Sequence, residues 1–325
     1  MRERDLVIVG AGPAGMAAAL AAAELGVEDI LLLERDQHLG GILNQCVHTG
    51  FGLEYFKEVL TGPEYAQRFI SRVRNEPRIE VSVRSFAVNL TADRQIRYLR
   101  PGRFEEVRAR AIIMATGCRE RTREMIHVPG DRPAGVFSAG LAQKLINIEG
   151  LMPGMTVVVV GSGDIGMIMA RRFVLEGAQV RGIVEISPSV SGLRRNLVQC
   201  VEDFGIPVYL QHTIARISGR NRVEKVEVAR VSDDGAEIEG SRFEIACDTV
   251  LVSAGLIPEN ELIEMAGAAI DPRTNAPVSS GMNLTSIPGV FCCGNCFRVY
   301  DAVDSVTKDS ARAGEMAAEY LKKGV

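Results

Sequence analysis

The sequence predicts an α/β protein made of two Rossmann-like, three-layer (ββα) dinucleotide-binding domains, the second inserted into the first, and three observations carry that prediction. Two glycine-rich turns follow apolar strands: DLVIVGAGPAG, with Gly10, Gly12 and Gly15, and TVVVVGSGDIG, with Gly161, Gly163 and Gly166. Each turn leads to an acid at the end of a further apolar strand, Glu34 closing LLLE and Glu185 closing GIVE, and in both copies the acid lies 24 residues beyond the first glycine. Each copy is closed by an apolar strand ending in glycine, AIIMATG at Gly117 and DTVLVSAG at Gly255.

A residue without a side chain lets the backbone approach a pyrophosphate, and the helix opening behind it offers unpaired N–H groups and a favourable dipole. Gly10, Gly12, Pro13, Ala14 and Gly15 would form that cradle in the first copy, and Gly161, Ser162, Gly163, Asp164, Ile165 and Gly166 in the second. Glu34, with Arg35 beside it, and Glu185 stand where ribose hydroxyls donate. No basic cluster directly follows Glu185 in EISPSVSG, which favours NAD over its 2′-phosphorylated form; Arg194 and Arg195 stand further on. The competing reading of the second copy is a decayed site kept for packing.

At about 150 residues per domain, 325 residues make two domains. A hydrophobic fraction of 46% with 33 glycines and no tryptophan fits a protein rich in tight strand-to-helix turns, not a disordered or fibrous chain. The formal charge of −4, with no basic stripe, speaks against a nucleic-acid partner. Apolar runs such as AAALAAAELG are too short to span a bilayer, and MRERDLVIVG enters the glycine turn too soon for a cleavable leader, so direct membrane insertion is not expected and a cytoplasmic location is. The seven cysteines are an odd number, and reduced thiols are the default in that compartment.

Along the chain, residues 5–10 read as the first strand and the small residues from Pro13 to Gly26 as a helix able to pack closely on a sheet. DILLLE is the next strand, residues 40–62 are irregular and glycine-rich, and residues 63–75 read as a helix followed by IEVSVRSFAVNL and a ribbon around QIRYLRPG. The polar connection after Gly117 is the first crossing between domains, giving segments 1–123, 124–256 and 257–325. A helix near Gly140–Glu149 precedes the second glycine turn. Alternation through residues 206–245 predicts a β meander. Val303, Val306, Ala313, Ala317 and Leu321 keep helical spacing over 302–322.

The order of these motifs resembles the two-dinucleotide-binding-domain flavoproteins, the superfamily of thioredoxin reductase and the FAD-containing pyridine-nucleotide oxidoreductases, over essentially the whole chain. The resemblance implies FAD in segments 1–123 and 257–325 and NAD in the segment between. It implies that Gly40 and Gly41 are the glycine pair near the flavin, and that Ala115, Thr116 and Gly117 are the family's ATG segment. IPGVFCCGN matches the strand before a glycine-aspartate pair, so Gly294 keeps its role while Asn295 replaces the aspartate that bonds the ribityl chain. The helix beginning near Val303 would point its positive end at the flavin. A narrower resemblance, in GGILNQCVHTGFG, ATGCRERTR, GSGDIGMIMARRFVLEG and CCGNCFRVYDAVD, is to the compact NAD/FAD oxidoreductases that accompany a glycerol-3-phosphate-dehydrogenase-like flavoprotein and a small cysteine-rich protein in bacteria. That likeness implies those two proteins as partners; a homodimer is also open.

Cys46 and His48 follow Gly41 in the stretch where related reductases approach the flavin ring. A thiolate there could form a charge-transfer or peroxide-reducing centre, and the rival reading is an inert buried thiol. His48 is either a proton carrier for reduced flavin or a polar lining residue. Cys292, Cys293 and Cys296 read chiefly as packing or flavin lining, with thiol redox chemistry, led by Cys293, as the rival; a metal cluster would need a fourth ligand. No CxxC pair is expected to serve as a redox disulfide of the thioredoxin-reductase kind, the chain being read as lacking that motif, and Cys118 reads as structural. Arg119, Arg121 and Arg123 read as a solvated positive strip or as a phosphate or domain-positioning contact. Tyr300 and Asp301 are candidates for the substrate side of the flavin.

The expected function is hydride transfer between NAD(H) and FAD, with electrons passed to or from a partner protein or small acceptor. The alternatives are a self-contained NADH oxidase or peroxidase using a thiol, and a non-catalytic nucleotide-binding assembly component of a dehydrogenase complex.

Overall fold

A computed structural model describes residues 2–279, 281 and 283–324. Strand β1 (Arg2–Val9) leads through the first glycine turn into α1 (Pro13–Glu24) and β2 (Ile30–Leu33). A small hairpin, β3 (Thr49–Phe51) and β4 (Leu60–Thr61), precedes α2 (Gly62–Asn75). Thr61 and Glu64 close a reciprocal capping box on α2, with Thr61 N donating to Glu64 Oε2 at 2.8 Å. Strands β5 (Ile79–Ser82), β6 (Phe86–Leu90), β7 (Gln95–Arg100) and β8 (Arg103–Met114) follow, then β9 (Cys118–Glu120).

The next stretch holds β10 (Val136–Ser138), α3 (Ala139–Asn147), β11 (Thr156–Val160), α4 (Asp164–Leu175), β12 (Gln179–Glu185), α5 (Arg194–Cys200) and β13 (Val208–Leu210). It continues with β14 (His212–Ser218), β15 (Lys225–Arg230), β16 (Phe243–Ala246), β17 (Thr249–Val252) and β18 (Leu256–Pro258). Helix α6 (Glu261–Met265), β19 (Val290–Cys292) and α7 (Val303–Lys322) end the chain.

The chain divides into two compact units, Met1–Arg119 with Ile257–Val325, and Glu120–Leu256. In the first, β5-β2-β1-β8 run parallel, and the end of β8 also pairs in parallel with β19, while its beginning pairs antiparallel with β7. Because successive strand residues face opposite sides, Leu6, Ile8, Leu32 and Ile113 pack under α1, α2 and α7, and Val7, Val9, Leu33 and Ile112 pack with Leu90, Ile96 and Val107. Burial on both faces explains why these strands read as unbroken apolar runs. Helix α1 is buried almost all round, which its alanines permit. A Cβ on Gly314 of α7 would stand 2.2 Å from Ala18 O, so the two helices touch at backbone distance.

In the second unit the parallel sheet is β10-β17-β11-β12-β13, with the antiparallel sheet β14-β15-β16 over one face and the helices over the other. Val158, Val184, Val250 and Val252 meet Ile214, Val226 and Val228 on the antiparallel side. Both units therefore carry the ββα plan. Two expectations need correction. The meander loses its first segment: Val208–Leu210 joins β12 in the parallel sheet, and Gln211, at φ +53, turns the chain before β14. The first crossing falls at 119/120, four residues earlier than the sequence suggested, because Arg123 belongs to the second unit.

Candidate functional site

In the first glycine turn each glycine has a different reason to be there. Gly10 is left-handed at φ +103, where an added Cβ would stand 2.4 Å from Ala115 O; on Gly15 it would stand 1.8 Å from Gly10 O. These two let β1, β8 and α1 close on one another. Gly12 is different: its backbone is extended, and the nearest atom to an added Cβ is Gly41 Cα, 3.9 Å away. Its missing side chain leaves open space in front of α1, whose first turn has no side-chain cap. The second turn repeats this: Gly161 is left-handed, Gly166 lies against Gly161 O, and Gly163 has nothing within 4 Å at the uncapped start of α4.

The acids repeat as well. Glu34 is buried and accepts from Ala11 N and Asp36 N, both at 2.8 Å. Glu185 is buried and accepts from Ser162 N at 2.8 Å and Ser187 N at 2.9 Å, and also from Ser162 Oγ at 2.6 Å. The backbone donors sit at matching positions in the two copies, and the difference is the hydroxyl that Ser162 has and Ala11 lacks. Burial pushes Glu34 above the usual carboxylate value, since the two backbone bonds offset only part of it. For Glu185 burial pushes the same way, but the bonds from Ser162 and Ser187 outweigh it and hold the acid low. Arg35, beside Glu34, is exposed.

Several other segments surround the first turn. Gly40 and Gly41 are both left-handed; Gly40 N donates to Ala11 O at 2.9 Å, and a Cβ on Gly41 would stand 3.0 Å from Gly12 Cα. Ala115 N donates to Val9 O at 2.9 Å, Thr116 Oγ1 donates to Glu259 O at 2.6 Å, and Gly117 is left-handed. Gly294, at φ +67, lies so close to α1 that a Cβ would stand 2.6 Å from Ala14 Cβ. The Asn295 amide accepts from Tyr300 N at 3.2 Å and donates toward Cys118 Sγ at 3.6 Å. Val303 opens α7, whose first turn also lacks a side-chain cap. Gly12, Gly41, Ala14 and Gly294 thus meet at one place in the first unit. Gly255, at φ +99, follows the closing strand of the second unit and accepts from Arg121 N at 3.0 Å.

The thiols are mostly shut away. Cys46 is buried under the start of α2, and burial pushes its thiol up to about 12. Cys293 is wholly buried and is likewise pushed well above the ordinary thiol value. His48 is half-buried, its ring centroid 5.1 Å from that of Phe51. Cys293 and Cys296 do stand at CxxC spacing, yet the sulfur facing Cys296 is that of Cys292. The arginine strip is no strip: Arg119 pairs with Glu259 and Glu261, Arg121 is exposed, and Arg123 is buried, donating to the carbonyls of Val128, Pro129 and Asp131. Sequence reasoning missed Asp304, a buried carboxylate in the first turn of α7 that accepts from Glu54 N at 2.8 Å and so fastens the irregular segment to the helix. An acid in an otherwise amphipathic first turn was its only signal.

Two glycine turns, each with open space before an uncapped helix and a buried acid at the next strand end, define a protein with two dinucleotide sites. The sequence profile of the pyridine nucleotide-disulphide oxidoreductases matches residues 4–314, and the chain belongs to that family of FAD/NAD(P)H oxidoreductases. Among characterised proteins it is similar to an opine oxidase subunit from Agrobacterium tumefaciens, 27% identical over 90% of this chain and 61% of that protein. It is also similar to hydrogen cyanide synthase subunit HcnB of Pseudomonas protegens, 28% identical over 80% of this chain and 58% of that protein. The chain spans about three fifths of the length of these curated relatives. The fold matches thioredoxin reductase of T. acidophilum, with a TM-score of 0.77, 22% identity and full coverage of both chains. Among the described residues no helix is long and apolar enough to cross a membrane, and no group of three or more His, Cys, Asp or Glu could hold a metal ion.

Proposed function

We propose that this protein passes electrons between NAD(H) and a partner protein or small acceptor through bound FAD. The observation that carries the reading is the pair of matched turns, in which Gly12 and Gly163 keep open the space that Gly10, Gly15, Gly161 and Gly166 spend on packing. In the first unit Gly12, Pro13 and Ala14 would hold the FAD pyrophosphate and Glu34, beside Arg35, its adenosine ribose. Gly40, Gly41, Ala115, Thr116, Gly117, Gly294, Asn295 and the start of α7 at Val303 would line the rest. In the second unit Ser162, Gly163, Asp164 and Ile165 would hold the NAD pyrophosphate, Glu185 the ribose, and Gly255 would border the site. When bound, the two cofactors supply hydride exchange between nicotinamide and flavin. The chain contributes orientation and the N-terminal dipoles of α1, α4 and α7, and the hydride exchange needs neither Cys46 nor Cys293, which are buried.

NADH is favoured over NADPH because Ile186 and Ser187 follow Glu185, and the carboxylate held there repels a 2′-phosphate. A partner is favoured because the opine oxidase and hydrogen cyanide synthase relatives are named as subunits, and a dehydrogenase-like flavoprotein together with a small cysteine-rich protein is the proposed pair. The test is anaerobic: the purified protein is yellow with FAD, and NADH bleaches it in the absence of any partner. A protein that stays colourless after FAD is added, or stays yellow with excess NADH, overturns the reading.

A further inference from the structure

Cys292 closes β19, Cys293 is extended at φ −146 and ψ 164, and Gly294 turns left-handed at φ +67. That reversal brings Cys296 back beneath Cys292, so their sulfurs stand 3.2 Å apart with both residues wholly buried. A disulfide bond is about 2.05 Å long, so closing the gap needs roughly 1.2 Å of combined side-chain movement. We propose that Cys292 and Cys296 form a reversible intrachain disulfide when the protein meets a small hydroperoxide.

The surroundings divide the work between the two sulfurs. Cys292 is enclosed beside Asn260 Oδ1, and burial together with the neighbouring Cys296 pushes its thiol up, so it keeps its proton. Burial works the same way on Cys296, whose sulfur also lies 3.3 Å from Met114 O and 3.1 Å from Cys293 O, but the contact with Cys292 and the Thr116 and Gly117 groups around it draw it below the ordinary thiol value. We assign the attack to Cys296 and the resolution to Cys292, and exchanging the two roles gives the same bridge. The Cys296 sulfur attacks one peroxide oxygen, the O–O bond breaks, and the leaving hydroxide takes the Cys296 proton and departs as water, giving a sulfenic acid. The Cys292 sulfur then attacks the Cys296 sulfur and expels a second hydroxide, which takes the Cys292 proton and becomes water. One peroxide is reduced by two electrons, one dithiol is oxidised by two, and a dithiol reductant reverses the change. The bridge would brace the turn that carries Gly294 and Asn295, and the inference stands independently of which cofactor that turn holds.

The test uses the full chain as purified, treated with hydrogen peroxide, unfolded in an alkylating reagent, and digested with trypsin. All three cysteines fall in one peptide, Thr274–Arg298. The expected product carries a single alkyl group, on Cys293, is lighter by two hydrogens, and returns to three alkyl groups after dithiothreitol. Cys118 is half-exposed and gauges the oxidant dose. Cys293→Ala keeps the bridge and Cys292→Ala loses it. The inference is overturned if Cys118 is fully oxidised while Cys292 and Cys296 both remain alkylatable, or if the bridge forms between Cys293 and Cys296. Because the unsubstituted protein alone decides the first outcome, a variant that fails to fold does not shield the inference.

Discussion

Gly12 and Gly15 lie three residues apart in one turn, and replacing each with alanine should break different things. On Gly15 the new methyl would stand 1.8 Å from Gly10 O, 3.0 Å from Gly10 C and 3.4 Å from Ala115 Cβ. Two of those atoms are backbone, so relief requires α1 to lift from β1 by more than 1 Å, about the distance from 1.8 Å to an ordinary carbon–oxygen contact. Overpacking of this kind costs up to about 3 kcal/mol. For a unit of this size that lowers Tm by roughly 6–12 °C, at about 2–4 °C per kcal/mol. On Gly12 the nearest atom is 3.9 Å away and the backbone is already extended at φ −73, ψ −172, so the apoprotein should unfold within about 0.5 kcal/mol of the unsubstituted one. The methyl instead fills the space a pyrophosphate needs, and FAD affinity should fall at least about tenfold, or 1.4 kcal/mol. The assay is thermal unfolding of apoprotein by far-UV circular dichroism, with FAD titrated by fluorescence quenching. If Gly12→Ala unfolds as early as Gly15→Ala, or binds FAD normally, the division of labour between the two glycines is wrong.

Gly163→Ala and Gly166→Ala should repeat the contrast for NADH, the first raising its Kd without lowering Tm and the second lowering Tm, read by the same melts and by isothermal titration. Glu185→Gln should raise the KM for NADH about tenfold with FAD content unchanged, and should cost about 1–2 kcal/mol of stability at pH 7 as one backbone N–H loses its acceptor. Because the folded acid is held below its usual 4.5, its stabilisation is present above that value and lost as pH falls through the lower folded value. The Tm gap between the two proteins should therefore narrow in acid, and a gap independent of pH would show that the charge contributes nothing. Burial pushes the Cys46 thiol up to about 12, so it holds its proton at pH 7. Cys46→Ser and Cys293→Ser should accordingly keep flavin bleaching by NADH within about tenfold in anaerobic stopped flow; a larger loss at matched FAD occupancy would give a thiol a part in the chemical step. Arg123→Ala takes a buried donor from the carbonyls of Val128, Pro129 and Asp131 and should cost about 1–3 kcal/mol in denaturant unfolding, whereas an unchanged midpoint would return Arg123 to the solvated surface.

The glycine turns and their acids were legible because their chemistry is tied to spacing: a turn, a helix and a strand of fixed length must lie between Gly10 and Glu34. What spacing does not encode was read less well. Leu210 and His212 looked continuous because Gln211 gives no warning of its left-handed backbone, a conformation glycine usually marks. Arg123 looked like surface charge because nothing local reveals that three carbonyls converge on it. The Ser162 hydroxyl, which helps hold Glu185 low, was visible as a residue but not as a donor. The closeness of Cys292 to Cys296 depends on Gly294 reversing the chain, a tertiary fact written in one dihedral angle.

The split of the first unit into two stretches also sets an order of assembly. A ribosome delivers Glu120–Leu256 as one continuous piece, able to complete its sheet as soon as it clears the exit tunnel. The opening stretch must wait, because the strand beside the end of β8 and the helix against α1 come last. Until then Ala18 and the apolar end of β8 lack their cover, so nascent chains stalled before Val290 should show a protease-resistant core from the second unit alone. Resistance spreading to residues 2–119 only after α7 emerges is the expected pattern in limited proteolysis of such chains. Resistance there before α7 is made would mean the first unit closes without its final helix.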